Sequence, residues 1–351
     1  MSTIATPPLA RRDLDLVLSL TRELWDEARG QHIFITGGTG FFGCWLVESF
    51  CHINLELGLG AQATVLTRDP AKFRAKCPHL ADDSAITLLA GDVCSFVSPE
   101  GEFRYIVHAA TEAVVQPSAG EMLATTVEGT RQALEFARRC GAKRFLLTSS
   151  GAVYGRQPAE ITHVPETYVP APEAVDAVNA YSEGKRRAEM VCGEMTRGTE
   201  IEVAIARCWA FCGPHLALDA HFAIGNFIRD AIAGKTIAIG GDGTPRRSYL
   251  YAADLTVWLW TMLFRAPALV PINVGSAHDV SIRELAETVA RVLAPESEIH
   301  VAKERVHGSP LARYVPSVQR ARELLGLRET VGLEEQILRT AEWHGFARRA
   351  D

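Results

Sequence analysis

The chain has 351 residues, 47% hydrophobic and 22% charged, an ordinary globular balance with length for one large domain or two smaller ones. A formal charge of −6 gives no basis for nucleic-acid binding, and no apolar run approaches the ~20 residues that span a bilayer. The eight cysteines form no Cys-x-x-Cys pair and the eleven histidines show no ligand spacing. No structural metal is expected, and the thiols read as the reduced, mostly buried thiols of a cytoplasmic protein.

Pro7 and Pro8 interrupt residues 1–12, which therefore lack a signal peptide's apolar stretch. Residues 13–29 place Leu14, Val17, Leu18, Leu24 and Trp25 on a helical stripe that packs against the main domain. A strand–helix alternation then begins. Strands are predicted at 32–36, 63–67, 86–90, 105–110, 144–149 and 203–208, with helices at 45–57, 122–140 and 179–196. Nearly continuous apolar strands in repeated βαβ units predict an α/β fold with a doubly wound parallel sheet covered on both faces. Beyond residue 209 the pattern loosens into helices at 222–233 and 253–264. Ser281 and Glu284 form a capping box that opens a helix to Leu293.

Three clusters along this frame carry chemistry. Gly37, Gly40 and Gly43, with Phe41 and Phe42 between them, sit directly after the first strand and before a helix. That arrangement suits a turn where a pyrophosphate meets backbone N–H groups at the helix start. At the end of the second strand Arg68 suits the 2′-phosphate of NADP and Asp69 the ribose of NAD. Arg68 comes first and favours NADP. Asp92 and Val93 follow the third strand, where a carboxylate could meet the adenine amino group. Ala109 and Ala110 close the fourth, where small side chains let backbone lie against the dinucleotide.

The fifth strand ends in Thr148, Ser149 and Ser150, whose hydroxyls face the cofactor end of such a sheet. Ser150 is the candidate partner for a substrate oxygen, with Ser149 and Thr148 as rivals. Tyr181 and Lys185 lie four residues apart, one helical turn on one face. An unperturbed phenol titrates near pH ~10. A charge ~4 Å away at an effective dielectric of ~20 is worth about 4 kcal/mol, enough to bring it near neutrality.

These residues together resemble the extended short-chain dehydrogenase/reductase family, in its nucleotide-sugar branch of epimerases, dehydratases, decarboxylases and ketoreductases. The resemblance runs over residues 31–345 and includes Gly213-Pro214 and the stretch 241–251. It implies a Rossmann dinucleotide domain at 31–208, after an N-terminal extension at 1–30. A smaller part at 209–351 would be mainly substrate-binding, with some segments returning to the first domain. It further implies hydride transfer between a sugar carbon and NAD or NADP. Tyr181 would be the acid–base group, Lys185 would hold the ribose and depress the phenol's pKa, and Ser150 would orient the sugar oxygen. By alignment Arg247 would bind the nucleotide diphosphate, a task that suits a guanidinium. Trp209 and Phe211 would line the cleft. A homodimer is likewise expected.

Departures from the family pattern sort the reactions. Dehydratases of this branch carry an Asp-Glu pair after the catalytic hydroxyl and decarboxylases a glutamate. Here Gly151 and Ala152 have no titratable group, which points to an epimerase or 4-ketoreductase. Ala210 and Thr126 replace asparagines usual in the family. The alternative of a different class is a silent dinucleotide-binding protein, against which intact Ser150, Tyr181 and Lys185 argue.

Overall fold

The structure, a computed structural model, describes residues 5–110, 119–170, 180–220, 222–306, 308 and 310–347. The apolar runs become a seven-stranded parallel sheet. In spatial order its strands are 271–274, β6 (Glu202–Cys208), β5 (Arg144–Ser150), β4 (Tyr105–His108), β1 (His32–Thr36), β2 (Gln62–Thr67) and β3 (Ile86–Ala90). The order reverses between β1 and β4, and there the ends of both strands point to one edge, with Thr36 paired to His108. Such a switch point is where open α/β sheets take ligands.

Two compact units make up the chain. The first comprises Met1–Gly155, Ala171–Cys208 and Thr256–Ile272. Its core is aromatic: Phe34 lies 5.4 Å from Phe96 and 4.7 Å from Phe136 between ring centroids, and Phe103 lies 5.2 Å from Phe136. Such pairs add to the stabilisation from burial alone. The N-terminal stripe forms α1 (Arg11–Thr21) and a 3₁₀ segment at Arg22–Ala28. Its Trp25 is fully buried, 4.9 Å from Trp260 and 5.4 Å from Phe264, while buried Glu48 accepts the Leu9 N–H at 2.7 Å. The covering helices are α2 (Phe41–Leu57), α3 (Pro70–Lys76), α4 (Pro78–Ala81), α5 (Ala119–Arg139) and α6 (Ala180–Met195). Helix α2 starts at Phe41, four residues before the predicted start, because Gly40 already serves as its N-cap.

The second unit comprises Arg156–Pro170, Trp209–Leu255 and Asn273–Asp351. Its strand Arg246–Ser248 pairs antiparallel with Asp279–Ser281 and parallel with Arg313–Tyr314. Helices Ala223–Ile232, Ile282–Leu293 and Leu333–Trp343 accompany it. The Ser281–Glu284 capping box is formed, with both reciprocal bonds present. No helix among the described residues is long and apolar enough to cross a membrane.

Candidate active site

The turn between β1 and α2 is built so tightly that side chains are excluded. Gly37 has φ +73°, and a Cβ there would stand 2.5 Å from the carbonyl carbon of Ala109. A Cβ on Gly43 would stand 2.2 Å from the Gly37 carbonyl oxygen. Strand, turn and helix thus pack backbone on backbone, and α2 begins with no side-chain cap. Its first-turn N–H groups have no acceptor within the helix, so the turn fits a pyrophosphate. Ala109 and Ala110 flank it: their N–H groups donate to Thr36 O at 3.1 Å and Thr36 Oγ1 at 3.2 Å.

At the end of β2 the two candidates for the ribose separate. Asp69 Oδ1 accepts the Lys72 N–H at 2.9 Å and caps α3, a structural task that the sequence reading missed although Pro70 follows directly. Arg68 is exposed at the strand end. Asp92 Oδ1 accepts the Cys94 N–H at 2.9 Å, which shapes its loop, and Val93 lies against Gly129 of α5.

The rival hydroxyls are now distinguished. Thr148 Oγ1 donates to His108 O at 3.2 Å, and Ser149 Oγ donates to Glu189 Oε1 at 2.5 Å, so both are committed to structure. Ser150 closes β5, accepts the Ala152 N–H at 3.1 Å, and is the hydrogen-bond partner of the Tyr181 phenol. Lys185, on α6 with Tyr181, is buried and donates to Thr148 O at 2.7 Å, with Nζ 5.9 Å from the Tyr181 ring centroid. Ser150, Tyr181 and Lys185 are therefore brought together. Trp209 and Arg247 belong to the second unit: Trp209 Nε1 donates to Asn273 Oδ1 at 3.2 Å, its ring lies 4.4 Å from Tyr314, and Arg247 donates to Arg246 O at 2.8 Å.

One expectation changes. Lys185 does not bring the phenol down: burial pushes Tyr181 above its ordinary value, against an opposing pull from Ser150. Burial also brings Lys185 down to about 8. Desolvation penalises both charged forms, and the Lys185 ammonium donates to the Thr148 carbonyl. As it stands the chain offers a neutral phenol, a proton donor.

A family model described as NAD dependent epimerase/dehydratase matches residues 33–275. The chain belongs to this family. It is 30% identical over 308 residues to UDP-glucuronic acid decarboxylase 1 of Arabidopsis thaliana, covering 88% of this chain and 68% of that protein. Among solved structures, UDP-glucose 4-epimerase of Thermotoga maritima aligns with a TM-score of 0.74 at 20% identity, over 90% of this chain and 99% of that one. UDP-glucuronic acid 4-epimerase of Bacillus cereus, solved in complex with NAD, aligns at 0.73 and 19%, over 89% and 96%. These two likenesses establish the fold. As a member of the family the chain is an enzyme of the extended short-chain dehydrogenase/reductase type, as its motifs indicated.

Proposed function

We propose that the chain catalyses reversible hydride transfer at a sugar carbon, C4, of a nucleoside-diphosphate sugar, with Tyr181 as acid–base group. The observation that carries this is the Tyr181–Ser150 hydrogen bond beside the buried Lys185, at the end of β5 where a ligand of this sheet would lie. When bound, the nicotinamide would supply the hydride acceptor or donor and, oxidised, a positive charge that favours ionisation of the phenol. Tyr181 Oη then takes the proton of the sugar hydroxyl or gives it back, and Ser150 Oγ holds that oxygen. Lys185 Nζ holds the ribose, and Arg247 meets the diphosphate. Gly37, Gly40, Phe41, Phe42 and Gly43 present the pyrophosphate-binding backbone, with Asp92, Val93, Ala109 and Ala110 beside it. With Asp69 engaged as a helix cap, Arg68 is the group that would select NADP. A homodimer belongs to the same proposal.

Inversion at C4 needs no group beyond these, and it is the net reaction we favour. The relatives among curated proteins support a second one, loss of carbon dioxide from a nucleotide uronate. Oxidation at C4 leaves a C6 carboxylate β to a ketone, and the departing electrons settle on the C4 oxygen held by Tyr181 and Ser150. No further carboxylate is required, so Gly151 and Ala152 weigh against elimination of water and not against decarboxylation. Incubation with UDP-glucose, UDP-galactose and UDP-glucuronate, read by NMR and by released carbon dioxide, separates these outcomes. Sustained NADPH consumption with a 4-keto-6-deoxy sugar would instead mark a reductase. If none of these sugars is converted and none changes the absorbance of bound dinucleotide at 340 nm, the proposal fails.

A further inference from the structure

Beneath the Tyr181–Lys185 face lies a second polar cluster that the proposed chemistry does not use. Glu189 follows Lys185 by one helical turn on α6, on the same face. Both its oxygens are engaged by Arg207 of β6, Nε to Oε1 at 3.0 Å and Nη2 to Oε2 at 2.7 Å, and Oε1 also accepts from Ser149 of β5. Arg207 extends the cluster, donating to the Tyr154 hydroxyl at 2.9 Å with its guanidinium 4.8 Å above that ring. The pair is largely shielded, at 15% and 11% side-chain exposure, and its bidentate form is the strong arrangement for such a contact.

We infer that Glu189, clamped by Arg207, is a positioning residue of the site: it ties α6 to the strand end that carries Ser150 and sets a negative charge one turn from Lys185. This rests on Tyr181 and Lys185 acting as proposed above. The groups that bear on Lys185 come from several elements. On β6, the Cys208 thiol is pushed up to about 12 by burial; on β4, the His108 imidazole is held down to about 3 by burial and by Lys185 itself. On α6, Tyr181 is held neutral by burial. None of these three carries charge near neutrality; the Glu189 carboxylate, held by the Arg207 guanidinium, acts to keep the Lys185 ammonium protonated. Arg207, also on β6, is the opposing charge and partly offsets it. The spacing Tyr-x-x-x-Lys-x-x-x-Glu at 181, 185 and 189 was visible in the sequence. Its meaning appears only when Arg207 and Ser149 arrive from two neighbouring strands.

The test is the pH dependence of NADH affinity, followed by NADH fluorescence, together with the melting temperature of the ligand-free chain. In the wild type, affinity should fall as pH rises through about 8, where Lys185 loses its proton. Glu189→Gln keeps the shape and removes the charge, and should move this basic limb down by about one pH unit, the size expected of a charge about 6 Å away at an effective dielectric near 20 with its partner partly offsetting it. Arg207→Gln removes the offsetting cation and should move the limb up. A strut without electrostatic effect would lower the melting temperature in both variants and leave the limb in place, which overturns the inference. If Glu189→Gln does not fold, Arg207→Gln decides: an upward limb supports the inference, and an unmoved or lowered one refutes it. Tyr181→Phe, run alongside, reports on the parent proposal separately, because its loss of turnover does not depend on Glu189.

Discussion

Replacing Gly37 by alanine tests whether the turn after β1 is the dinucleotide seat. The new Cβ would stand 2.5 Å from the Ala109 carbonyl carbon and oxygen and 2.6 Å from the Ala110 nitrogen, all backbone atoms of the segment leaving β4. Nothing flexible is there to yield, so the segment must shift by about an ångström. The φ of +73° adds the left-handed cost of a residue with a Cβ, about 1–2 kcal/mol, and overpacking adds about 1–3 kcal/mol. A total of about 2–5 kcal/mol should appear in urea unfolding, with at least a tenfold loss of NADH affinity by fluorescence titration. Gly40→Ala is the control: its φ is −83°, and its Cβ would meet only the Gly37 oxygen at 3.5 Å, an ordinary contact. It should unfold within about 1 kcal/mol of the wild type. If Gly37→Ala unfolds and binds like Gly40→Ala, the packing argument for this turn is wrong.

Two further outcomes follow from buried or exposed groups. His108 is buried between Thr36 Oγ1 at 2.9 Å and Thr130 Oγ1 at 3.1 Å, and burial lowers its pKa to about 3. The unfolded imidazole binds its proton near pH ~6.5 and the folded one only near 3, so its contribution is full above about 6.5 and is lost progressively as pH falls towards 3. His108→Gln should therefore show a shallower fall in urea midpoint between pH 6.5 and 4.5 than the wild type; parallel falls would contradict this. At the end of β2, Arg68→Ala should weaken NADPH binding at least tenfold and leave NADH within about threefold, as removal of a charge-assisted phosphate contact implies. Equal effects on both dinucleotides would remove Arg68 from the selection.

The parallel sheet was legible because its inner strands, four to seven residues long, have apolar centres ended by small or polar residues, as in β1 and β5. The glycine turn was legible for the same local reason, as a fixed spacing between a strand and a helix. The strands of the second unit were not, since Arg246–Ser248 and Arg313–Tyr314 are two or three residues long and exist by pairing with distant chain. Charge states were the least legible. The spacing of Tyr181 and Lys185 suggests a depressed phenol, yet burial pushes the phenol up against an opposing pull from Ser150. That Ser149 is committed elsewhere appears only with Glu189, forty residues further along the chain.

The central claim is that Tyr181 Oη moves the proton while a hydride moves at a sugar carbon. Tyr181→Phe deletes that oxygen alone and keeps the ring. With whichever of UDP-glucose, UDP-galactose or UDP-glucuronate the wild type converts, turnover by the variant should fall at least a thousandfold, within the usual reach of a lost general acid–base group. NADH affinity by fluorescence should stay within about threefold. Turnover retained within tenfold by a variant that still binds NADH would contradict the account.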